Sequence, residues 1–182
     1  MIRALEDEDS EVRGSAAGAL GPNRDSRAVL PLIRVLDDDA PRVRFNAADA
    51  LGCLSDTRAV EPLIEAMKDS EERVRSEAAE SLSFLGDVRA VPALIAALQD
   101  PSRAVPSSAA CALGRLKAET AIEPLVKTME NAQDESTDTV HPEMAKHAAA
   151  ALKEITGLDY CEDAAAWRQW LTSSATKAFA SE

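Results

Sequence analysis

Val43-Arg44, followed by Ala47-Ala48 and Ala50-Leu51, has counterparts 31 residues away on either side: Val12-Arg13 with Ala16-Ala17 and Ala19-Leu20, and Val74-Arg75 with Ala78-Ala79 and Leu82. Val105 with Ala109-Ala110 and Ala112-Leu113 adds a fourth copy in the same register. Self-similarity at a constant period indicates stacked supersecondary units, none of which can bury its apolar face alone. The 182 residues are therefore read as one array with a continuous apolar seam, residues 1–182 forming about five repeats. Aromatic residues are only 3% of the chain, so an all-β reading lacks its raw material.

Each period carries two helical patterns. The first, helix A, reads Val29, Leu32, Ile33, Leu36, and returns as Val60, Leu63, Ile64, Met67, as Val91, Leu94, Ile95, Leu98, and as Ile122, Leu125, Val126, Met129. The i, i+3, i+4, i+7 spacing puts four apolar side chains on one stripe. Pro31, Pro62, Pro92 and Pro124 fall near the starts of these helices, where a missing N–H costs little. In the second, helix B, Val43, Ala47, Ala50 and Leu51 share a face, and paired alanines let neighbouring helices approach closely without loss of helix propensity. Asp7, Asp38, Asp69 and Asp100 recur in the A-to-B turn and are expected to cap helix B, with Pro101 at the first helical position of the fourth copy.

Ala59-Val60-Glu61-Pro62-Leu63-Ile64, the turn aspartate, Val43-Arg44 and Ala47-Ala48-Asp49-Ala50-Leu51-Gly52 resemble the HEAT repeats, and more narrowly the short bacterial HEAT-like repeats found also in phycobilin lyase subunits. The resemblance covers nearly the whole chain. It implies an all-α fold, a right-handed α-solenoid of antiparallel helix pairs, with the A helices convex and the B helices lining a concave face that holds a partner. Function varies widely across such proteins.

Met1 to Leu5 aligns with Leu32 to Leu36, so the first repeat is expected to be incomplete: a piece of a longer array, self-association through an uncapped N-terminal end, or a frayed but tolerated natural terminus. In the fourth repeat Pro106 stands where Arg13, Arg44 and Arg75 stand, and Ala118 and Thr120 replace the Asp and Arg of Asp56/Arg58 and Asp87/Arg89. Helix B is expected to start late or kink there. Residues 131–141 add 8 residues to the period and read as an exposed loop insertion. Helix B of the fifth repeat then runs from Pro142 to a terminating Gly157. In the closing segment, 158–182, Trp167, Trp170 and Leu171 share a helical face suited to capping the last repeat; the alternative is a pair of indoles that stacks a ligand.

The net charge of -12, from 32 acids and 20 bases, opposes phosphate backbones and anionic membranes. No apolar run is long enough for a membrane span, and the first ten residues lack the order of a signal peptide. Cys53, Cys111 and Cys161 imply neither a disulfide framework nor a zinc site, which favours a cytoplasmic setting. His141 and His147 have no ligand-spaced partner, there is no His-Glu dipeptide of the kind used by HEAT-like di-iron hydroxylases, and no phosphate-binding or nucleophile motif occurs. No catalytic residue, metal or cofactor is expected. The recurring acidic runs read as structural, and Arg13, Arg44 and Arg75 are expected to stack across repeats and pair with the turn aspartates, an Asp-Arg ladder along the groove.

Function is expected where the repeats differ. With the first, fifth, eighth and ninth positions of helix B buried, 100° per residue turns the third and seventh outward, with the fourth at the margin. These positions are Gly14, Ser15, Gly18; Phe45, Asn46, Asp49; Ser76, Glu77, Glu80; Ser107, Ser108, Cys111; and Lys146, His147, Ala150. The candidate partner-binding residues are Phe45, Asn46, Asp49, Ser76, Glu77, Glu80 and Ser108. Phe45 is either a binding anchor or a contact to a neighbouring repeat. The expected function is a non-catalytic protein or peptide interaction scaffold whose acidic groove takes basic and apolar residues. The alternative is a phycobilin lyase-like or other enzyme-associated subunit. Nucleic-acid recognition, as in HEAT-like alkylpurine glycosylases, would need a basic, aromatic-lined groove, which these positions do not provide.

Overall fold

The computed structural model describes the backbone of residues 1–133 and 142–179, and the side chains of 1–133 and 143–173. All regular structure among the described residues is helical. The B helices are α1 (Ser10–Leu20), α3 (Pro41–Leu54), α5 (Glu72–Leu85), α7 (Ala104–Arg115) and α9 (Pro142–Thr156). The A helices between them are α2 (Val29–Arg34), α4 (Val60–Ala66), α6 (Val91–Ala97) and α8 (Ile122–Gln133); α10 (Ala164–Phe179) follows. Ile2–Glu6 forms a 3₁₀ turn ahead of α1. Each B helix packs on the B helix one repeat away, and α3, α5, α7 and α9 each pack on the A helix before them, whose place beside α1 is taken by the Ile2–Glu6 turn, the arrangement of an all-α solenoid. No helix among the described residues is long and apolar enough to cross a membrane.

The seam between the two layers is built from the repeated leucines. Leu32, Leu63, Leu94 and Leu125 of the A helices and Leu51, Leu82, Leu113 and Leu152 of the B helices are fully buried. Each is worth roughly 1.5–3 kcal/mol of apolar transfer. The paired alanines are buried too, Ala47-Ala48, Ala78-Ala79 and Ala109-Ala110 included. Close approach is most severe at Gly52, where an added Cβ would come within 2.5 Å of the Ser81 hydroxyl. Val12 is 39% exposed although Val43, Val74 and Val105 are buried. Among the described residues nothing packs on it as α1 packs on Val43.

The turn aspartates do not cap the B helices. Asp38 and Asp69 accept from the amides of Ala40 and Glu71, the residues that themselves cap α3 and α5, so each closes a small turn one step upstream. Asp9, not Asp7, caps α1. In the fourth repeat Asp100 accepts from Ser102, and α7 begins only at Ala104, so Pro101 lies in the turn rather than at the first helical position. The late start agrees with Pro106, whose ring is tolerated only in a first turn.

The expected loop 131–141 also needs correction. Residues 131–133 continue α8, with Ala132 buried against the core; 134–141 lie outside the described residues. Whereas α1 ends at Gly21 with a right-handed φ of -58°, α3, α5 and α7 are followed by a left-handed residue, Ser55, Gly86 and Lys117 at intervals of 31, and α9 by Gly157. Only the glycines announce this in sequence, because the conformation disfavours other side chains without forbidding them. In the closing segment Trp167 is fully buried and meets Tyr160 and Trp170 edge to face, at ring-centroid distances of 4.9 and 6.0 Å. Its indole N–H donates to the Cys161 carbonyl, and Trp170 and Leu171 pack partly buried against the same core.

Candidate functional site

The Asp-Arg ladder forms with one register throughout. Arg13 Nε and Nη2 donate to the two carboxylate oxygens of Asp38 at 2.6 and 2.8 Å, Arg44 does the same to Asp69 at 2.6 and 2.7 Å, and Arg75 to Asp100 at 2.7 and 2.9 Å. Each Nη1 turns back onto two carbonyls of its own repeat: Asp7 and Glu8, Asp38 and Asp39, Asp69 and Ser70. The pairs are largely shielded, with arginine side chains 13–17% and aspartates 9–11% exposed. The Arg13 hydrogen bonds lower the pKa of Asp38. Burial opposes ionisation of Asp69 and Asp100, yet their arginines hold both below the ordinary carboxylate range. These arginines are therefore fasteners between repeats.

The candidate groove residues on α3, α5 and α7 separate into two groups. Asn46 donates its amide to the Gly14 carbonyl at 2.8 Å, tying α3 to α1, and the hydroxyls of Ser76 and Ser108 share a 2.9 Å hydrogen bond between α5 and α7. Phe45 is half-buried, with the Arg73 guanidinium carbon 5.4 Å from its ring centroid. The contact to a neighbouring repeat, one of the two expectations for Phe45, is thus present. Gly14, expected to be open, is buried beside Asn46.

Asp49, Glu77 and Glu80 form the other group. Asp49 and Glu80 are exposed and Glu77 is half-buried. Among the described residues none of the three enters an ion pair. Burial first, then the charges of Asp49 and Glu80, push the Glu77 carboxyl up to about 7. A carboxylate held in this way lacks a cation.

Beside Glu80 a hollow of about 360 Å³ opens between α5, α7 and α9, lined by Ser108, Cys111, Arg115, His147 and Glu154 among others. His147 Nδ1 is buried without a partner among the described residues. Burial and the nearby Glu154 raise the Cys111 thiol, and burial with Asp49 raises Cys53, so both stay protonated and are poor nucleophiles. Among the described residues no group of three or more metal-ligating side chains is present. Arg115 and Glu154 were missed in sequence because the reading stopped at the ninth helical position. Both stand at the eleventh, four beyond the seventh and therefore on the same face.

A family model for HEAT repeats matches residues 1–83 and 60–153. Among solved structures, the complex of CpcE and CpcF of phycocyanin lyase from Nostoc sp. PCC7120 contains a chain 31% identical, with a TM-score of 0.74 over 86% of this chain. This chain spans 64% of the length of that one. An engineered protein is 25% identical with a TM-score of 0.59, covering 86% of this chain and 78% of its own. A designed armadillo repeat protein in complex with the peptide (KR)4 is 20% identical with a TM-score of 0.62, covering 85% of this chain and 80% of its own, and shows the fold alone. No match is found among curated proteins.

Proposed function

The chain belongs to the HEAT-repeat family, and on that premise we propose that it is a non-catalytic interaction module whose B-helix face takes a protein or peptide segment with basic and apolar residues. The observation that carries this reading is the group Asp49, Glu77 and Glu80. The three carboxylates lie close enough to raise the pKa of Glu77, and none has a cationic partner among the described residues. A lysine or arginine from a partner would supply that charge. The exposed edge of Phe45 adds an apolar contact, while Asn46, Ser76 and Ser108 hold the helices that present the carboxylates.

The chemistry of capture follows from Glu77. A cation placed beside it favours the ionised form, so binding expels a proton and should strengthen as pH rises through about 7. Fluorescence anisotropy with a labelled peptide of alternating lysine and leucine measures this. Expected are tighter binding at pH 8 than at pH 6, and loss of binding in the double variant Glu77→Lys, Glu80→Lys. Unchanged affinity in that variant would refute the groove.

One observation favours a second reading, an enzyme-associated subunit of the phycobilin lyase type: the 31% identity to a chain of the CpcE and CpcF complex. Incubation with a bilin, followed by its visible absorbance, separates the two. A spectral shift that needs this chain supports the lyase-type role, and a flat spectrum with intact peptide binding supports the module.

A further inference from the structure

The ladder stops one rung short of the array. In repeats one to three the arginine at the second position of the motif spans a slot between its own A-to-B turn and the next repeat. Its Nη1 is held by the carbonyls six and five residues before it, and its other nitrogens by the residue 25 positions after it. Applied to position 106, that register names the carbonyls of Asp100 and Pro101 and the side chain of residue 131. The residue at 106 is proline, which has no donor to offer, and residue 131 is asparagine. Among the described residues neither carbonyl accepts a hydrogen bond.

The slot is open. A cavity of about 460 Å³ is lined by Asp100, Pro101, Pro106 and Asn131, the four residues the register names, with Ser102 and Glu143 beside them. Such a volume lies in the range of small-ligand sites. Glu143, at the start of α9, is the carboxylate on the far wall of the cavity; it is 74% exposed and among the described residues pairs with Lys146 on its own helix. The sequence from 128 to 145 contains no lysine or arginine that could fill the slot from the adjacent insertion. Arg103, at the rim, donates to none of these groups among the described residues.

We propose that this vacant rung is a binding site for a guanidinium group, occupied by an arginine side chain of another polypeptide that completes the ladder in trans. The three filled rungs define the recognition: one nitrogen on the paired turn carbonyls, the opposite edge toward Asn131 and Glu143. Lysine fits poorly because an ammonium cannot reach both edges at once. The site lies on the A-to-B turn edge and shares only Ser107 with the hollow beside Glu80, so it stands or falls separately from the groove.

The test titrates the full chain with an acetylated, amidated Ala-Arg-Ala tripeptide and with its citrulline counterpart, following backbone amides by NMR. Saturable shifts at Ser102 and Asn131 are expected for the arginine peptide, with binding about tenfold weaker for uncharged citrulline. Pro106→Arg fills the slot from within and should abolish the shifts, while Pro106→Ala leaves it open and should keep them. Should Pro106→Arg fail to fold, Glu143→Arg at an exposed position decides, with at least about fivefold weaker binding expected. No saturable shift, equal binding of the two peptides, or an unchanged response in the folded Pro106→Arg or Glu143→Arg chain would overturn the proposal.

Discussion

The first three repeats and the closing segment are fastened by opposite chemistry. From α1 to α7 the turns are joined by shielded arginine–aspartate pairs in one register, with Arg27, Arg58 and Arg89 repeating a second, exposed pairing with Asp25, Asp56 and Asp87 at the B-to-A turns. Beyond α7 both series stop, and a buried indole takes over, with Arg168 gripping Glu123 and Glu130 outside it. The polar fastener can be repeated indefinitely because each rung creates the acceptor for the next. We read the buried Trp167 as a plug, filling the seam where another repeat would otherwise pack.

Removing the plug should have the largest effect. Trp167→Ala is expected to cost about 3–5 kcal/mol in denaturant unfolding, through the lost burial and the cavity left behind. A loss under about 1 kcal/mol would mean that the end of the array is not fastened by the indole. Arg44→Ala follows at about 3 kcal/mol, since it strands Asp69 at 9% exposure, whereas Pro106→Ala should change stability little. Equal losses at positions 44 and 106 would erase the distinction between the regions.

Acid should separate them too. Asp38, Asp69 and Asp100 all have lowered pKa values in the folded chain. Their contribution is present above the ordinary carboxylate pKa near 4 and is lost as pH falls through the lower folded values. Hydrogen exchange below that pH should therefore rise first in α1 to α5. Glu77 runs the other way. Its folded pKa is raised to about 7, so the unfolded chain gives up the proton first and stability falls as pH rises from about 4.5 to 7. Glu77→Gln should gain about 1 kcal/mol or less at pH 8, since solvent screens a partly exposed side chain, and nothing at pH 4. A gain at both would mean that charge is not the cause. The smallest expected effect is at Lys117, whose φ is 51°. Lys117→Gly should raise stability by up to about 1 kcal/mol by relieving the left-handed backbone.

Position 12 shows how much of this was legible. The repeat put Val12 in the same class as Val43, Val74 and Val105, but burial depends on what packs over the side chain, and Val12 stays exposed. Arg13, Arg44 and Arg75 do pair with the turn aspartates as expected, because the same partner recurs at one spacing, but only the packing of the repeats decided which turn each one reaches. Asn46 and Ser76 were read as free surface, yet each bonds to a residue 32 positions away, one beyond the period. A periodic reading looks straight across to the equivalent position and misses diagonal contacts.

The sequence alone determined the solenoid, its period of 31, the buried leucine and alanine seam and the pairing of the repeated arginines with the turn aspartates. Those features depend on local helical spacing and on repetition, both of which are linear in the chain. Only the tertiary structure decided which polar groups remain unpaired: the carboxylates of Asp49, Glu77 and Glu80, and the turn carbonyls at Asp100 and Pro101 among the described residues. Whether a donor or an acceptor is satisfied depends on the separation and direction of groups from different helices, and these are set when the repeats pack.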